Sequence, residues 1–211
     1  MNRRFSIPVL YEDEDVLVFN KPSGLAVQGG KDIRCSLDML LAERFTPRPL
    51  LVHRLDKGTS GVILTAKHKE AAVFFANAIK QGQLEKTYLA VCGKSPALKP
   101  QGIVDDALTI KGREKNAVTR YRTLAETGDF ALLEIALLTG RTHQIRRHLS
   151  ALGAPVLGDD KYGDFALNKR LKREREIKRL LLHSARLTFP ARTGQVTVEA
   201  PLPPYFPRLT D

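Results

Sequence analysis

The sequence predicts an α+β protein whose strands form a mixed, largely antiparallel sheet flanked by helices. Apolar runs of strand length recur along the 211 residues, and only three segments have the spacing of an amphipathic helix. Strands that follow one another with few helical crossovers favour antiparallel pairing. A chain of this length forms one domain or at most two closely packed ones, and it buries roughly 70% of the surface that its unfolded form exposes.

The N-terminal part is predicted to contain a hairpin, a sharp turn and a helix. Residues 8–11 and 16–20 are apolar runs on either side of an acidic turn, which indicates the hairpin. The sharp turn follows at Lys21-Pro22-Ser23-Gly24, where proline has a fixed φ and glycine a free one. Ser36 is placed to cap a helix whose apolar side carries Leu37, Leu40, Leu41 and Phe45.

A strand and a second helix come next. Residues 62–66 form an apolar run of strand length, and residues 69–80 have helical periodicity. We expect Val73, Phe74 and Ala78 to form the inward face of this helix.

The C-terminal half continues with strands, one helix and a closing hairpin. Further strands are expected at residues 87–92, 117–124 and 130–137. Residues 142–152 predict a helix that turns Ile145, Leu149 and Leu152 toward the core and stops at Gly153. Residues 180–189 and 195–199 flank a Thr-Gly turn, which predicts the hairpin.

The charge balance predicts a polyanionic partner. Lys and Arg number 34 against 23 for Asp and Glu, which gives a formal net charge of +11. Phosphate contacts release counterions and attract the ligand from a distance, but charge alone does not separate RNA, DNA and an anionic membrane. No run approaches the roughly 20 apolar residues that span a bilayer. The two cysteines lie far apart, which indicates reduced thiols in a cytoplasmic protein.

The histidines and one basic run are further candidates for a site. His143 and His148 lie five residues apart and face different directions on a helix, so we expect no metal site. Residues 168–179 hold seven Lys or Arg against two Glu. Such a run is either a solvated helix or an arm that grips RNA, and the sequence leaves both interpretations open.

Two motifs carry the functional prediction. The segment His53-Arg54-Leu55-Asp56-Lys57-Gly58-Thr59-Ser60-Gly61 holds one carboxylate among basic residues, directly before an apolar run. Asp56 is therefore expected at a junction between a loop and a strand. An isolated Asp-Lys pair is common on protein surfaces and by itself indicates little. The second motif, Gly140-Arg141-Thr142-His143-Gln144-Ile145-Arg146, opens the predicted helix at residues 142–152.

Together the two motifs resemble the signature segments of pseudouridine synthases of the RluA/RluC/RluD type, which isomerise uridine in RNA. The resemblance extends from Asn20-Lys21-Pro22-Ser23-Gly24 to Leu181-Leu182-His183. It implies a curved sheet with a central catalytic cleft, in a single catalytic domain at residues 1–211. Many members carry an S4-like RNA-binding module before that domain, and we expect the module to be absent from this chain or trimmed from it.

The chemistry of the reaction explains the residues that the motifs contain. Uracil must leave C1′ of its ribose, rotate and rejoin through C5, and a carboxylate nucleophile can hold one fragment meanwhile. The pocket should exclude water, yet burial raises the pKa of a carboxyl group by up to about 3–5 units. An arginine restores the charged form and stays ionised itself. The resemblance assigns these roles to Asp56 and Arg146.

Further site residues follow from the same resemblance. Tyr88, in a Lys-x-Tyr segment, would stack on the uracil and accept the proton that must leave, although a strand tyrosine is usually a core residue. Arg54, two residues before Asp56, is expected to enter the vacated RNA stack when the uridine is flipped out, or to clamp a phosphate. His53 is expected to order the loop by hydrogen bonds. The remaining residues expected to bind RNA are Thr59, Arg141 and His143.

The leading interpretation is an isomerase that makes pseudouridine in RNA, most similar to the branch acting on large-subunit (23S) ribosomal RNA. It would need no cofactor and act as a monomer in the cytoplasm. Transfer RNA is the alternative substrate, and a non-catalytic basic RNA-binding module, such as an assembly factor, is the alternative class. A hydrolase using Asp56 is disfavoured because no carboxylate cluster surrounds it to hold Mg²⁺.

Overall fold

The computed structural model describes residues 5–31 and 33–207. In chain order its elements are β1 (Val9–Glu12), β2 (Val16–Lys21), α1 (Leu37–Arg44), β3 (Leu50–Leu51), β4 (Ser60–Ala66), α2 (Lys69–Lys80), β5 (Glu85–Gly93), β6 (Gln101–Asp105), β7 (Leu108–Ile110), β8 (Arg113–Lys115), β9 (Val118–Thr127), β10 (Phe130–Leu137), α3 (Gln144–Ala151), α4 (Phe165–Glu174), β11 (Leu182–Ala191) and β12 (Gly194–Glu199). The described residues group into two compact units. Unit 1 extends to Lys86 and includes Ser184–Leu202, and unit 2 contains Thr87–His183 with the residues from Pro203 onward.

Unit 1 is built on strands in the order β1-β2-β4-β11, with β3 paired to β4 and β12 paired to β11. The registered pairs β1–β2, β2–β4 and β11–β12 are antiparallel. Every residue of β4 is buried, as expected for a strand made almost wholly of small and aliphatic side chains. Ser36 caps α1 by accepting a hydrogen bond from the amide of Met39 at 3.3 Å, which confirms the predicted cap.

The inward face predicted for α2 is wrong. Val73 and Phe74 are 62% and 50% exposed. The residues that the helix buries are Ala71, Phe75 and Ala78. Phe75 packs edge-on against Phe189, with ring centroids 5.9 Å apart. Because two phenylalanines are adjacent in the sequence, helical periodicity does not fix which of them faces the core, and the contact with β11 decides it.

Unit 2 is built on antiparallel strands in the order β5-β10-β9-β6. A separate hairpin pairs β7 with β8. These last two strands and β6 were not predicted, because each has only three to five residues and every residue of β8 is polar and exposed. The helix α3 begins two residues later than predicted, since His143 before it has a left-handed backbone with φ of 55°. Ile145 and Leu149 are buried as predicted, whereas Leu152 is only half-buried.

The predicted α+β class with a largely antiparallel sheet is confirmed by these elements. Both predicted hairpins form: β1 pairs with β2 around the acidic turn, and β11 pairs with β12 around the Thr-Gly turn. The interpretation of residues 1–211 as a single catalytic domain stays a prediction. Residues 1–4, 32 and 208–211 lie outside the described part of the chain.

Candidate active site

Asp56 lies in unit 1, in the loop that leads into β4, so the predicted loop-to-strand position is confirmed. Its backbone carbonyl accepts a hydrogen bond from the amide of Thr59 at 3.1 Å. The neighbouring carbonyls are held from the other side: Lys57 accepts from the amide of Gly24 at 2.8 Å, and Gly58 from the hydroxyl of Ser23 at 2.7 Å. The loop is thus fastened at three consecutive positions while Asp56 stays half-buried.

A buried lysine, Lys21, also binds the backbone of this loop. The side chain of Lys21 is fully buried, and its ammonium donates to the carbonyls of Leu25 at 2.8 Å, Pro22 at 3.0 Å and Lys57 at 3.4 Å. Burial lowers the pKa of Lys21 to about 7, and the charge of Asp56 opposes that shift. Three carbonyl acceptors match the three donors of an ammonium group. Lys21 therefore connects the turn after β2 to the residue that follows Asp56.

His53 and Arg54 differ in their surroundings although they are adjacent. The Nε2 atom of His53 accepts a hydrogen bond from the amide of Leu64 at 3.0 Å. Burial lowers the pKa of His53 to about 3, and the positive charge of Lys86 adds to the effect. A histidine with this pKa is neutral at physiological pH and a weak base, so it suits the ordering of the loop. Arg54 is exposed, as a residue that contacts RNA should be.

Gly61, the last residue of the first motif, has a structural reason to be glycine. Its φ is +107°, and a Cβ atom added to it would lie 2.1 Å from the carbonyl oxygen of Ser184. Only glycine combines this backbone conformation with so close an approach. The residue therefore lets β4 and β11 meet directly after the Asp56 loop.

In unit 2, Arg146 lies in the first turn of α3 and forms a buried ion pair with Asp159. Its Nε and Nη2 atoms each donate to one oxygen of the Asp159 carboxylate, both at 2.7 Å. The side chains are 7% and 0% exposed. Burial by itself would raise the pKa of Asp159, but the hydrogen bonds from Arg146 and from the amides of Tyr162 and Lys161 hold it below its usual value.

Tyr162 joins Arg146 to a second predicted residue. The guanidinium carbon of Arg146 lies 5.2 Å from the centre of the Tyr162 ring, which is within the range of a cation–π contact. The Tyr162 hydroxyl shares a hydrogen bond of 3.1 Å with Nδ1 of His143. The structure thus brings His143 and Arg146 together around Tyr162, to which the sequence assigned no role.

Gln144 fixes the segment before α3. Its carbonyl oxygen accepts from the hydroxyl of Thr139 at 2.8 Å and from the amide of Arg141 at 3.0 Å. Its amide nitrogen donates to the carbonyl of Val118 and to the hydroxyl of Thr119 at 3.0 and 2.9 Å. Every polar group of this buried amide therefore has a partner. The Arg141 side chain is exposed and donates to a backbone carbonyl.

Tyr88 lies on β5, opposite Ile135 of β10, and is 6% exposed. Burial lowers the pKa of the nearby Lys86 of the same segment. Within the described ranges, no group of three His, Cys, Asp or Glu side chains is arranged to hold a metal ion. Among the same residues, no helix combines the length and the apolar character needed to cross a membrane.

The predicted residues thus lie on one loop of unit 1 and at two places in unit 2. Unit 1 presents His53, Arg54, Asp56 and Thr59 on one loop. Unit 2 presents Arg141, His143 and Arg146 at the start of α3, and Tyr88 on β5. The functional residues not predicted from the sequence are Lys21, Gln144, Asp159 and Tyr162. All four lie within the span of the family resemblance, but only their three-dimensional contacts connect them to the predicted site residues.

Comparisons with known proteins give the same family as the motifs. The family profile for RNA pseudouridylate synthase matches residues 15–151. Ribosomal large subunit pseudouridine synthase C of Rickettsia bellii is 37% identical over 218 residues, which cover 95% of this chain and 70% of that protein. The protein of the same name from Vibrio cholerae is 35% identical over 208 residues, which cover 92% and 65%. The chain therefore spans about two thirds of the length of these curated relatives.

Solved structures agree. Human RNA pseudouridylate synthase domain containing 4 superposes with a TM-score of 0.78 and 29% identity, covering 94% of this chain and 89% of that one. Human RNA pseudouridylate synthase domain containing 1 also gives 0.78 and 29%, over 97% and 86%. Both the sequence profile and the curated relatives confirm the family that the two motifs indicated. The chain belongs to the RNA pseudouridylate synthase family.

Proposed function

We propose that this chain isomerises uridine to pseudouridine in RNA, and that its substrate is large-subunit ribosomal RNA. In this reaction the C1′–N1 bond breaks, a C1′–C5 bond forms, and the proton displaced from C5 is replaced by one on N1. No atom enters or leaves, so the reaction needs no oxidant, nucleotide or external donor. The curated relatives named for the large ribosomal subunit and the net charge of +11 support the choice of substrate.

Asp56 is proposed as the nucleophile. The observation that carries this assignment is its loop, which is fastened at three consecutive backbone positions and keeps Asp56 half-buried. A nucleophile must be held in one orientation to gain from proximity, and the hydrogen bonds to the backbone of this loop restrict the position of Asp56. Attack on the ribose and attack on the base both fit this arrangement, since either adduct lets the uracil rotate.

Arg146 and Tyr88 are proposed to complete the site. Arg146 would stabilise the negative charge of Asp56 or of the RNA, and Tyr88 would stack on the uracil and accept the proton lost from C5. Their low exposure supports these roles, because a site that excludes water protects the reactive intermediate. Arg54 is proposed to take the place of the flipped uridine, for which its exposure suits it. Thr59, Arg141 and His143 are proposed to contact the RNA.

The substitution Asp56→Asn tests this assignment. It keeps the size of the side chain but removes the nucleophile, so pseudouridine formation should be abolished while RNA affinity stays within about threefold. The matched control is Asp38→Asn, which removes another carboxylate of the same unit, paired with Arg48 at 3.4 Å on the surface. Substantial turnover by purified Asp56→Asn enzyme would refute the mechanism.

The identity of the substrate requires a second experiment. Chemical mapping of pseudouridine in total RNA, from cells with and without the gene, should show that sites disappear from large-subunit ribosomal RNA. Sites that disappear only from transfer RNA would move the proposal to that substrate. A purified wild-type chain that binds RNA but forms no pseudouridine in any of it would favour the non-catalytic assembly factor. Action as a monomer in the cytoplasm is part of the same proposal.

A further inference from the structure

The Arg146–Asp159 pair is more heavily constrained than an ion pair needs to be for stability alone. The oxygen of Asp159 that accepts from Nη2 of Arg146 also accepts from the amides of Lys161 and Tyr162, at 2.9 and 3.0 Å. The other oxygen accepts from Nε at 2.7 Å. Two parallel contacts to one carboxylate fix the plane of a guanidinium group, not merely its location.

A second set of contacts attaches this turn to helix α4. The side-chain amide of Asn168 donates to the carbonyl of Asp159 at 2.8 Å, and its oxygen accepts from the amide of Gly158 at 2.9 Å. Gly163 makes this contact possible, because a Cβ atom there would lie 2.3 Å from the Asp159 carbonyl oxygen and 2.8 Å from the Asn168 nitrogen. The carboxylate that holds Arg146 is therefore fastened, through its own backbone, to α4.

Helix α4 carries the exposed basic residues noted in the sequence. Four of these residues lie in the helix: Lys169, Arg170, Lys172 and Arg173. The other three follow its last turn: Arg175, Lys178 and Arg179. Only Leu171 of this helix is buried. Helix α4 is therefore held on unit 2 by Leu171, by the partly buried Leu167, and by the hydrogen bonds that Asn168 makes to the turn.

We propose that Asp159 is the positioning residue for Arg146. Through Asn168, the orientation of the guanidinium group would then depend on the position in which the basic helix α4 packs on unit 2. The inference rests on the proposed function, because it takes Arg146 to act on the reaction. Asp159 would not touch the reacting atoms. It would hold the arginine so that its remaining donor edge points in one direction, and RNA bound along α4 would stabilise that arrangement.

The alternative is that the pair only stabilises the fold, and the physics of buried ion pairs makes the two separable. Burying both charges costs about as much solvation as their attraction returns, so such a pair is weak support for stability. A displaced catalytic group, in contrast, loses rate steeply: about 1 Å of misplacement costs on the order of 10²-fold. A role in positioning therefore predicts a decrease in rate that is far larger than the decrease in folded protein accounts for.

The test compares Asp159→Asn with Asp160→Asn in single-turnover assays at saturating RNA. Asn keeps the shape but can accept only one of the two charged contacts, so the rate should fall about 10²-fold while RNA affinity stays within about threefold. Asp160 is the matched control, since it lies 3.4 Å from Nη2 of the same arginine but its side chain is 95% exposed. Its replacement should change the rate less than about threefold.

A double-mutant cycle with Arg146→Lys shows whether Asp159 acts through Arg146. If it does, Asp159→Asn should slow the Arg146→Lys enzyme much less than it slows the wild type. Fully additive effects, or a near-normal rate for Asp159→Asn beside a slow Arg146→Lys, would overturn the inference and leave the proposed function standing. A near-normal Arg146→Lys enzyme would instead refute the role given to Arg146 in the proposed function.

Asn168→Ala tests the connection to α4 and serves if Asp159→Asn fails to fold. Removing the two hydrogen bonds of Asn168 should lower the single-turnover rate at saturating RNA about threefold to tenfold. The changes in RNA affinity and in melting temperature should not account for this decrease. Val198→Ala, which creates a cavity beside β12 in unit 1, the unit that contains none of the segments holding Arg146, gives the rate expected from reduced stability alone. A rate for Asn168→Ala equal to that of Val198→Ala at matched melting temperature would overturn the connection.

Discussion

His53 should make the stability of the chain depend on pH in a defined window. Its Nε2 atom accepts a hydrogen bond from the amide of Leu64, and burial lowers its pKa to about 3. The unfolded chain, with an ordinary pKa of about 6.5, binds more protons than the folded chain between these values. The contribution of His53 to the free energy of unfolding is therefore fully present above about pH 6.5 and is lost as the pH falls toward 3.

The size of the effect follows from the two pKa values. With about 6.5 unfolded and about 3 folded, lowering the pH from 8 to 5 should reduce the free energy of unfolding by about 2 kcal/mol. Because His53 is only half-buried, water screens the added charge and about 1–2 kcal/mol is the expected range. Protonation would also place an N–H group against the Leu64 amide, where an acceptor is needed.

Urea unfolding at pH 5, 6, 7 and 8 measures this decrease. His53→Gln offers an acceptor in place of Nε2 but does not titrate, so its stability should fall by about 1–2 kcal/mol less than that of the wild type over the same range. His68→Gln is the control, because it removes a different histidine of unit 1, at the start of α2, and leaves His53 in place. Equal pH slopes for the wild type and His53→Gln would refute the reasoning.

Three further outcomes are expected from the same structure. Gly61→Ala should lower the free energy of unfolding by at least about 3 kcal/mol in urea titrations, because its Cβ would strike the Ser184 backbone, whereas Gly29→Ala, with open space around it, should cost less than about 1 kcal/mol. Neutralising the exposed basic run should flatten the dependence of log affinity on log salt by about 0.7–0.9 for each phosphate that the variant no longer neutralises, and an unchanged slope would make the run ordinary solvated surface. The residues to neutralise together are Lys172, Arg173, Arg175, Lys178 and Arg179. Pseudouridine formation should survive EDTA when the RNA structure is held constant, and its disappearance with recovery in Mg²⁺ would favour the hydrolase.

The elements that the sequence predicted are those with a local cause. Turn residues and alternating apolar runs placed both hairpins, and a serine before four apolar residues placed α1. The strands β6, β7 and β8 have no such pattern, because their pairing partners and not their own side chains define them. The buried face of α2 was predicted wrongly for a related reason. Which side of this helix is buried depends on contact with Phe189, more than a hundred residues away in the sequence.

The candidate site divides in the same way. Asp56 and Arg146 could be named because each lies in a motif whose residue types match a demanding reaction. Their supports could not be named, because Lys21 reaches Lys57 across 36 positions and Arg146 reaches Asp159 across 13, and no spacing rule links such pairs. The turn that contains Asp159 lies within the span of the family resemblance, but nothing in the sequence paired it with Arg146.

The ion pair with Asp159 also changes what Arg146 can contribute to the proposed reaction. From the sequence alone, the pocket was expected to exclude water, and Arg146 was expected to give its full positive charge to the carboxylate of Asp56. In the structure that charge is already balanced, because Nε and Nη2 are bound to Asp159 at 2.7 Å each. A neutral pair acts on another anion through directed N–H donors more than through net charge. Lysine cannot serve both partners, since an ammonium group lacks the planar fork that binds one carboxylate and presents further donors along another edge. Arginine at this position is therefore explained by geometry, and the same geometry makes its orientation, set by Asp159, the quantity on which turnover should depend.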